Sequence, residues 1–169
     1  IFLTQLEIPV STVEFVAEKA FMKGNRVILN PAPARQLSDE LLKCLFLITP
    51  NETESEILTG IKVNNISSAE LAAKELQRLG VQNVIITMGG SGAFLRSGAL
   101  SKMIPVVPVK AIDTTAAGDV FNGALALIIF SVCSDVNRLR ILPIFFFPEI
   151  IYSIISSLKS RPNAIIMLR

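Results

Sequence analysis

Asp113-Thr114-Thr115-Ala116-Ala117-Gly118-Asp119 is the stretch on which the reading of this chain turns. An extended run from Met103 to Val109 precedes it, and a helix is expected to begin at Thr115 and continue to about Ala126. Ala116, Ala117 and Gly118 are small enough for a ligand to approach the backbone closely. The first amides of a helix lack partners within it and sit at the positive end of its dipole, so together they form an anion site. Asp119 sets a carboxylate beside that site. Amides that hold developing charge, next to a carboxylate that takes a proton from an attacking hydroxyl, are the parts phosphoryl transfer requires. A capped helix with an acidic first turn would explain a bare Gly-Asp pair equally well; the full string favours a site.

Upstream, helical and strand patterns alternate. Val10 to Lys23 repeats apolar residues at helical spacing, and Gly24 stands where such a helix would end. Arg26 to Asn30 reads as a buried strand, Pro31 and Pro33 as an extended loop, Ser38 to Cys44 as a short helix, and Leu45 to Thr49 as a second strand. Asn51 to Leu58 reads as a helix closed by Gly60. Ser67 to Leu79 reads as another, with Ser67 and Glu70 spaced as a capping box. Asn83 to Met88 is expected to be a third strand, Gly89 to Gly92 a turn, and Ala93 to Arg96 a returning strand. Strands alternating with helices imply an α/β fold: three layers, with a mostly parallel sheet between helices.

Two further segments carry chemistry. In Thr49-Pro50-Asn51-Glu52-Thr53-Glu54, Asn51 and Glu54 could orient Mg2+ and its waters near nucleotide phosphates, and they are equally well spaced to cap the helix that follows. Thr87-Met88-Gly89-Gly90-Ser91-Gly92 follows a strand and could admit a nucleotide against its backbone. It lacks the helix of a dinucleotide fingerprint and the Gly-Lys-Ser/Thr end of a Walker A loop, so by itself it reads as a glycine-rich hairpin.

Composition narrows the function classes. With no histidine, His-ligated metals, Ser-His-Asp triads and His bases are excluded. A 51% hydrophobic content supports a buried core, and 18% charged residues argue against a disordered chain. A net charge of +2 with no basic stripe implies no nucleic-acid partner. Cys44 and Cys133 form no Cys-x-x-Cys pair and read as buried free thiols of a cytoplasmic protein. The first residue is Ile1 rather than Met, no signal peptide follows, and Ile1 to Pro9 reads as the middle of a longer protein.

The character changes near Ala126, which divides the chain into a domain over 1–126 and an atypical tail over 127–169. No glycine follows Gly123, and isoleucine and phenylalanine crowd into Ile141 to Ile155. Pro143, Pro148 and Glu149 count against a membrane span, so no membrane association is expected. A shifted reading frame is the favoured account of the tail.

Taken together and in order, the three segments resemble the ribokinase-like, or phosphofructokinase-B-type, family of sugar kinases. The Asp113–Asp119 string is similar to that family's C-terminal signature. Val27-Ile28-Leu29-Asn30-Pro31-Ala32-Pro33-Ala34, Thr49 to Glu54 and Phe121-Asn122-Gly123-Ala124 resemble its ribose-phosphorylating branch. The resemblance spans about Phe2 to Ala126. It implies ATP-dependent phosphorylation of D-ribose with Mg2+ and K+. Asp119 would be the catalytic base, also in contact with the sugar, and Ala116, Ala117 and Gly118 the anion hole. Asn51, Thr87, Met88, Gly89, Gly90, Ser91, Gly92 and Gly118 would meet ATP. Glu54 would govern Mg2+ through water, Glu7 would touch the sugar, and Asp113 and Thr115 would belong to a K+ site. Another sugar or nucleoside kinase of the family, or a non-catalytic remnant, are the rival readings. The family's upstream half supplies the first strands, most sugar contacts and the lid that forms its homodimer. That half is absent from this sequence, so the chain alone is expected to show no ribose-dependent turnover.

Overall fold

The computed structural model describes residues 1–106 and 117–133. In chain order the elements are β1 (Phe2–Thr4), α1 (Val10–Met22), β2 (Val27–Leu29), α2 (Asp39–Cys44), β3 (Leu45–Ile48), α3 (Glu52–Thr59), α4 (Ile66–Arg78), β4 (Asn83–Thr87), a single 3₁₀ turn (Gly89–Ser91), β5 (Ala93–Ser97), β6 (Leu100–Ile104) and α5 (Ala117–Cys133). Among the described residues the strands form one sheet in the order β1-β2-β3-β4-β5-β6. β1 to β4 run parallel, and β5 and β6 extend the sheet antiparallel. The expected three-layer α/β arrangement is what forms.

The pleat explains the layers. Val27, Leu29, Ile48, Val84 and Ile86 join one core with Val13, Ala17, Leu41, Leu58, Ala69, Ala73 and Leu76, so α1 to α4 cover that face. Ile28, Leu47, Ile85 and Leu95 point the other way and pack with Leu125 and Ile129 of α5. Strands buried on both faces read as continuous apolar runs, as Val27–Leu29 and Leu45–Ile48 do. Burying one such side chain stabilises the fold by roughly 1.5–3 kcal/mol.

A bulge interrupts the pairing of β2 with β3. Val27 pairs with Leu45, but Ile28 pairs with Leu47, so Phe46 is an extra residue in β3. Phe46 and Leu47 both belong to the core beneath α5, and the Arg26 guanidinium lies 5.1 Å from the centre of the Phe46 ring.

Most helix limits follow local chemistry. α1 ends before Gly24, whose φ of 74° suits a residue without Cβ. α3 is closed by Gly60 at φ 73°. α4 differs from expectation: its capping box is Asn65 with Ser68, not Ser67 with Glu70. Asn65 accepts from the Ser68 amide at 2.9 Å, the helix starts one residue earlier, and Glu70 pairs with Lys74 at 2.9 Å instead. β6 begins at Leu100 rather than Met103, because Gly98 at φ 57° turns β5 directly back on itself. Residues 107–109 lie outside the described residues.

The tail from residue 134, including Ile141 to Ile155, also lies outside the described residues. α5 itself runs to Cys133, with Ile129 in the core. Among the described residues no helix is long and apolar enough to cross a membrane. Cys44, half-buried rather than buried, is a free thiol; burial, then the nearby Glu18 charge, pushes it above its ordinary range.

Candidate active site

Because β1 to β4 are parallel, their carboxyl ends share one rim of the sheet, where ligands of open α/β sheets are bound. Gln5 follows β1, Asn30 follows β2, Thr49 and Asn51 follow β3, and Met88 follows β4. Two side-chain bonds bring the start of α5 to this rim. Thr49 Oγ1 donates to Asn122 Oδ1 at 2.6 Å, and Gln5 Nε2 donates to Asp119 Oδ1 at 2.5 Å. Asn122 Nδ2 in turn donates to the Gly118 carbonyl at 2.9 Å. Thr49 and Asn122 are each only 3% exposed, so this is a buried, partnered link between sheet and helix.

Ala117, Gly118 and Asp119 are exposed in the first turn of α5. A Cβ added to Gly118 meets nothing within 4 Å among the described residues. An anion could approach the amides there with the Asp119 carboxylate alongside. Ala116, Asp113 and Thr115 lie outside the described residues.

The second half of the site is the start of α3. Asn51 Oδ1 accepts from the Glu54 amide at 2.8 Å, and Glu54 Oε2 accepts from the Asn51 amide at 2.8 Å. The pair is therefore a complete capping box. Glu54 is half-buried, and desolvation, partly offset by that Asn51 amide, raises its pKa above the ordinary carboxylate range. Only Pro50 separates Asn51 from Thr49, so the corner at α3 and the latch on α5 spring from the same strand end.

The glycine turn joins this corner. The Thr87 amide donates to the Pro50 carbonyl at 2.9 Å, and Asn51 bridges Thr87 in parallel. Inside the turn, the Met88 amide donates to Gly92 O at 2.8 Å and the Gly92 amide to Gly89 O at 3.1 Å. The Met88 side chain is buried in the core under α1 to α4, so only its backbone faces the turn. Gly89, Gly90 and Ser91 are exposed. Glu7 is exposed two residues beyond Gln5.

The structure thus gathers Asp119, Gly118, Asn51, Glu54 and Thr87 on one rim. Gln5 and Thr49 carry no role in the sequence reading, since each acts through a partner far along the chain. Among the described residues no group of three carboxylates or thiols converges to hold a metal directly.

The protonation of Glu54 has a testable sign. The folded state holds this proton more tightly than the unfolded chain, whose carboxyl titrates near 4.5. Glu54 therefore costs stability as pH climbs past its folded value and costs none below the unfolded one. Glu54→Gln keeps an acceptor for the cap. Unfolding in urea at pH 4.5 and at pH 7 is expected to show the variant gaining on the parent at the higher pH; an equal difference at both would contradict this.

The pfkB family carbohydrate kinase profile matches residues 3–130. The Haemophilus influenzae ribokinase is 52% identical over 121 residues, covering 72% of this chain and 40% of that protein. The Salmonella typhi deoxyribokinase is 40% identical over 128 residues, covering 75% and 42% respectively. The Arabidopsis thaliana ribokinase, solved in complex with ribose and ATP, superimposes with a TM-score of 0.72 at 32% identity. That match covers 75% of this chain and 42% of that one. The chain spans about two fifths of the length of these relatives. With the described parts of the signature segments on one rim and the family profile matched over residues 3–130, the chain belongs to the pfkB family of carbohydrate kinases.

Proposed function

We propose that this chain carries the phosphoryl-transfer part of an ATP-dependent sugar kinase that converts D-ribose to ribose 5-phosphate. The observation that carries the reading is the exposed Asp119 in the first turn of α5, beside the exposed Gly118. A sugar hydroxyl attacks the γ-phosphorus of ATP, the bond from that phosphorus to ADP breaks, and the hydroxyl proton passes to Asp119. The amides of Ala117 and Gly118, with Ala116, receive the charge that develops on the phosphoryl oxygens. Asn51 and the turn Thr87–Gly92 border the nucleotide.

Mg2+ keeps several of its waters and needs only one or two protein carboxylates. A lone half-buried Glu54, with one oxygen committed to the cap, fits a metal held through water. When bound, Mg2+ neutralises phosphate charge. Glu7 as a sugar contact, Asp113 and Thr115 as K+ ligands, a homodimer formed through an upstream lid, and a cytoplasmic location rest on the family resemblance alone.

The test is a chimera in which residues 3–130 of this chain replace the corresponding stretch of the Haemophilus influenzae ribokinase. ADP release is followed with ribose and with 2-deoxyribose. The chimera is expected to prefer ribose, and the 169-residue chain alone to give no sugar-dependent turnover. Preference for 2-deoxyribose would favour the likeness to the Salmonella enzyme. A folded but inactive chimera would leave the chain as a non-catalytic remnant.

A further inference from the structure

We infer that Gln5 is a positioning residue that aims the Asp119 carboxylate, an inference that rests on the reading of Asp119 as base. Gln5 lies 114 positions from Asp119, yet its Nε2 donates to Asp119 Oδ1 at 2.5 Å. An ionised carboxylate only accepts, so the side-chain amide must present its nitrogen here.

The backbone that carries Gln5 is pinned on both sides. The Asn30 amide donates to Thr4 O at 3.0 Å, the Leu6 amide donates to Ala32 O at 2.9 Å, and Leu6 is fully buried. The donor therefore comes from a rigid strand end. Asp119 is exposed in a first helical turn, where an unheld carboxylate could rotate to bond the first amides of its own helix. Those are the amides proposed to receive the phosphoryl group. The bond from Gln5 holds Oδ1 and leaves Oδ2 for the sugar hydroxyl. A neutral donor also suits the task better than Lys or Arg, whose positive charge would oppose proton uptake by its partner.

Asn122 and Gln5 divide the work. Asn122 fixes the helix through Gly118 and Thr49, and Gln5 fixes the reacting side chain.

The experiment uses the chimera with two nearly isosteric variants. Gln5→Met keeps the length of the side chain and removes the donor; Gln5→Glu replaces the donor with a second carboxylate. Gln5→Met is expected to lower kcat by about tenfold to a hundredfold, the scale of a small misplacement at a reacting centre. KM for ATP and the thermal midpoint of the 169-residue chain should stay as in the parent. Gln5→Glu should lower kcat further, again without moving KM for ATP. A kcat within twofold of the parent in Gln5→Met would overturn the inference. So would parallel changes in kcat, KM for ATP and thermal midpoint, which mark a structural role. Asp119→Asn separates the two ideas: turnover surviving in that variant removes the base itself, whereas its loss beside an unaffected Gln5→Met removes only the role of Gln5.

Discussion

Asp119→Asn in the chimera is expected to lower kcat by about a thousandfold, within the range by which a positioned general base accelerates proton transfer. Asparagine keeps the size of the side chain and can still accept from Gln5 through its amide oxygen. What it loses is the ability to take a proton. Asp119 is exposed in the first turn of α5 and takes no part in the buried cores, so the fold should survive. ATP affinity, measured by calorimetric titration, should change little, because the proposed nucleotide contacts come from Asn51, the glycine turn and backbone amides. Turnover within tenfold of the parent would remove Asp119 from the role of base. A parallel loss of ATP affinity would show that its charge serves binding.

Gly92→Ala is expected to cost at least about 3 kcal/mol of stability, from backbone strain and overpacking together. Gly92 has φ 106°, and a Cβ placed there would lie 2.1 Å from the Ile104 carbonyl oxygen and 3.0 Å from the Val106 amide nitrogen. Neither partner is the end of a flexible side chain that could swing aside. β6 would have to part from β5, opening the hairpin that holds the Thr87–Gly92 turn beside Asn51. For a domain of this size the loss corresponds to roughly 10 °C in thermal midpoint. Gly90→Ala is the control, since an added Cβ there meets nothing and its φ is not positive; it should change stability by no more than about 0.5 kcal/mol. Equal midpoints for the two variants, read by circular dichroism on the 169-residue chain, would contradict the steric account.

What was legible in the sequence divides by range. The helix Val10–Met22 and the strands Val27–Leu29 and Leu45–Ile48 follow from periodicity and from Gly24 as a stop, all within a few residues of one another. The Asp113–Asp119 string and the Asn51–Glu54 pair are legible because each is contiguous. β1 leaves no mark in the sequence because Phe2–Thr4 is too short to show an alternation. The start of α4 is ambiguous in the sequence because Asn64-Asn65-Ile66-Ser67-Ser68 offers several rival caps. Only the folded chain shows that Ser68 Oγ turns back toward the Asn65 amide, at 3.1 Å. The Ser97–Leu100 reversal did carry a local signal, a Ser-Gly pair between extended runs. Gln5 and Thr49 had none. Their meaning lies in partners 114 and 73 positions away, and no periodicity encodes that.

The inserted Phe46 governs which helical layer the carboxyl end of β3 serves. Leu45 faces α1 to α4, while Phe46 and Leu47 both face α5, so two consecutive residues break the alternation and every later residue changes sides. Counting on from Leu47, Ile48 faces α1 to α4 and Thr49 faces α5, where Asn122 waits. Were the strand evenly pleated from Leu45, the same count would deliver Thr49 to the opposite layer, and the first turn of α5 would lose its buried tether. One surplus residue midway along a central strand thus fixes the parity on which the geometry of the rim depends.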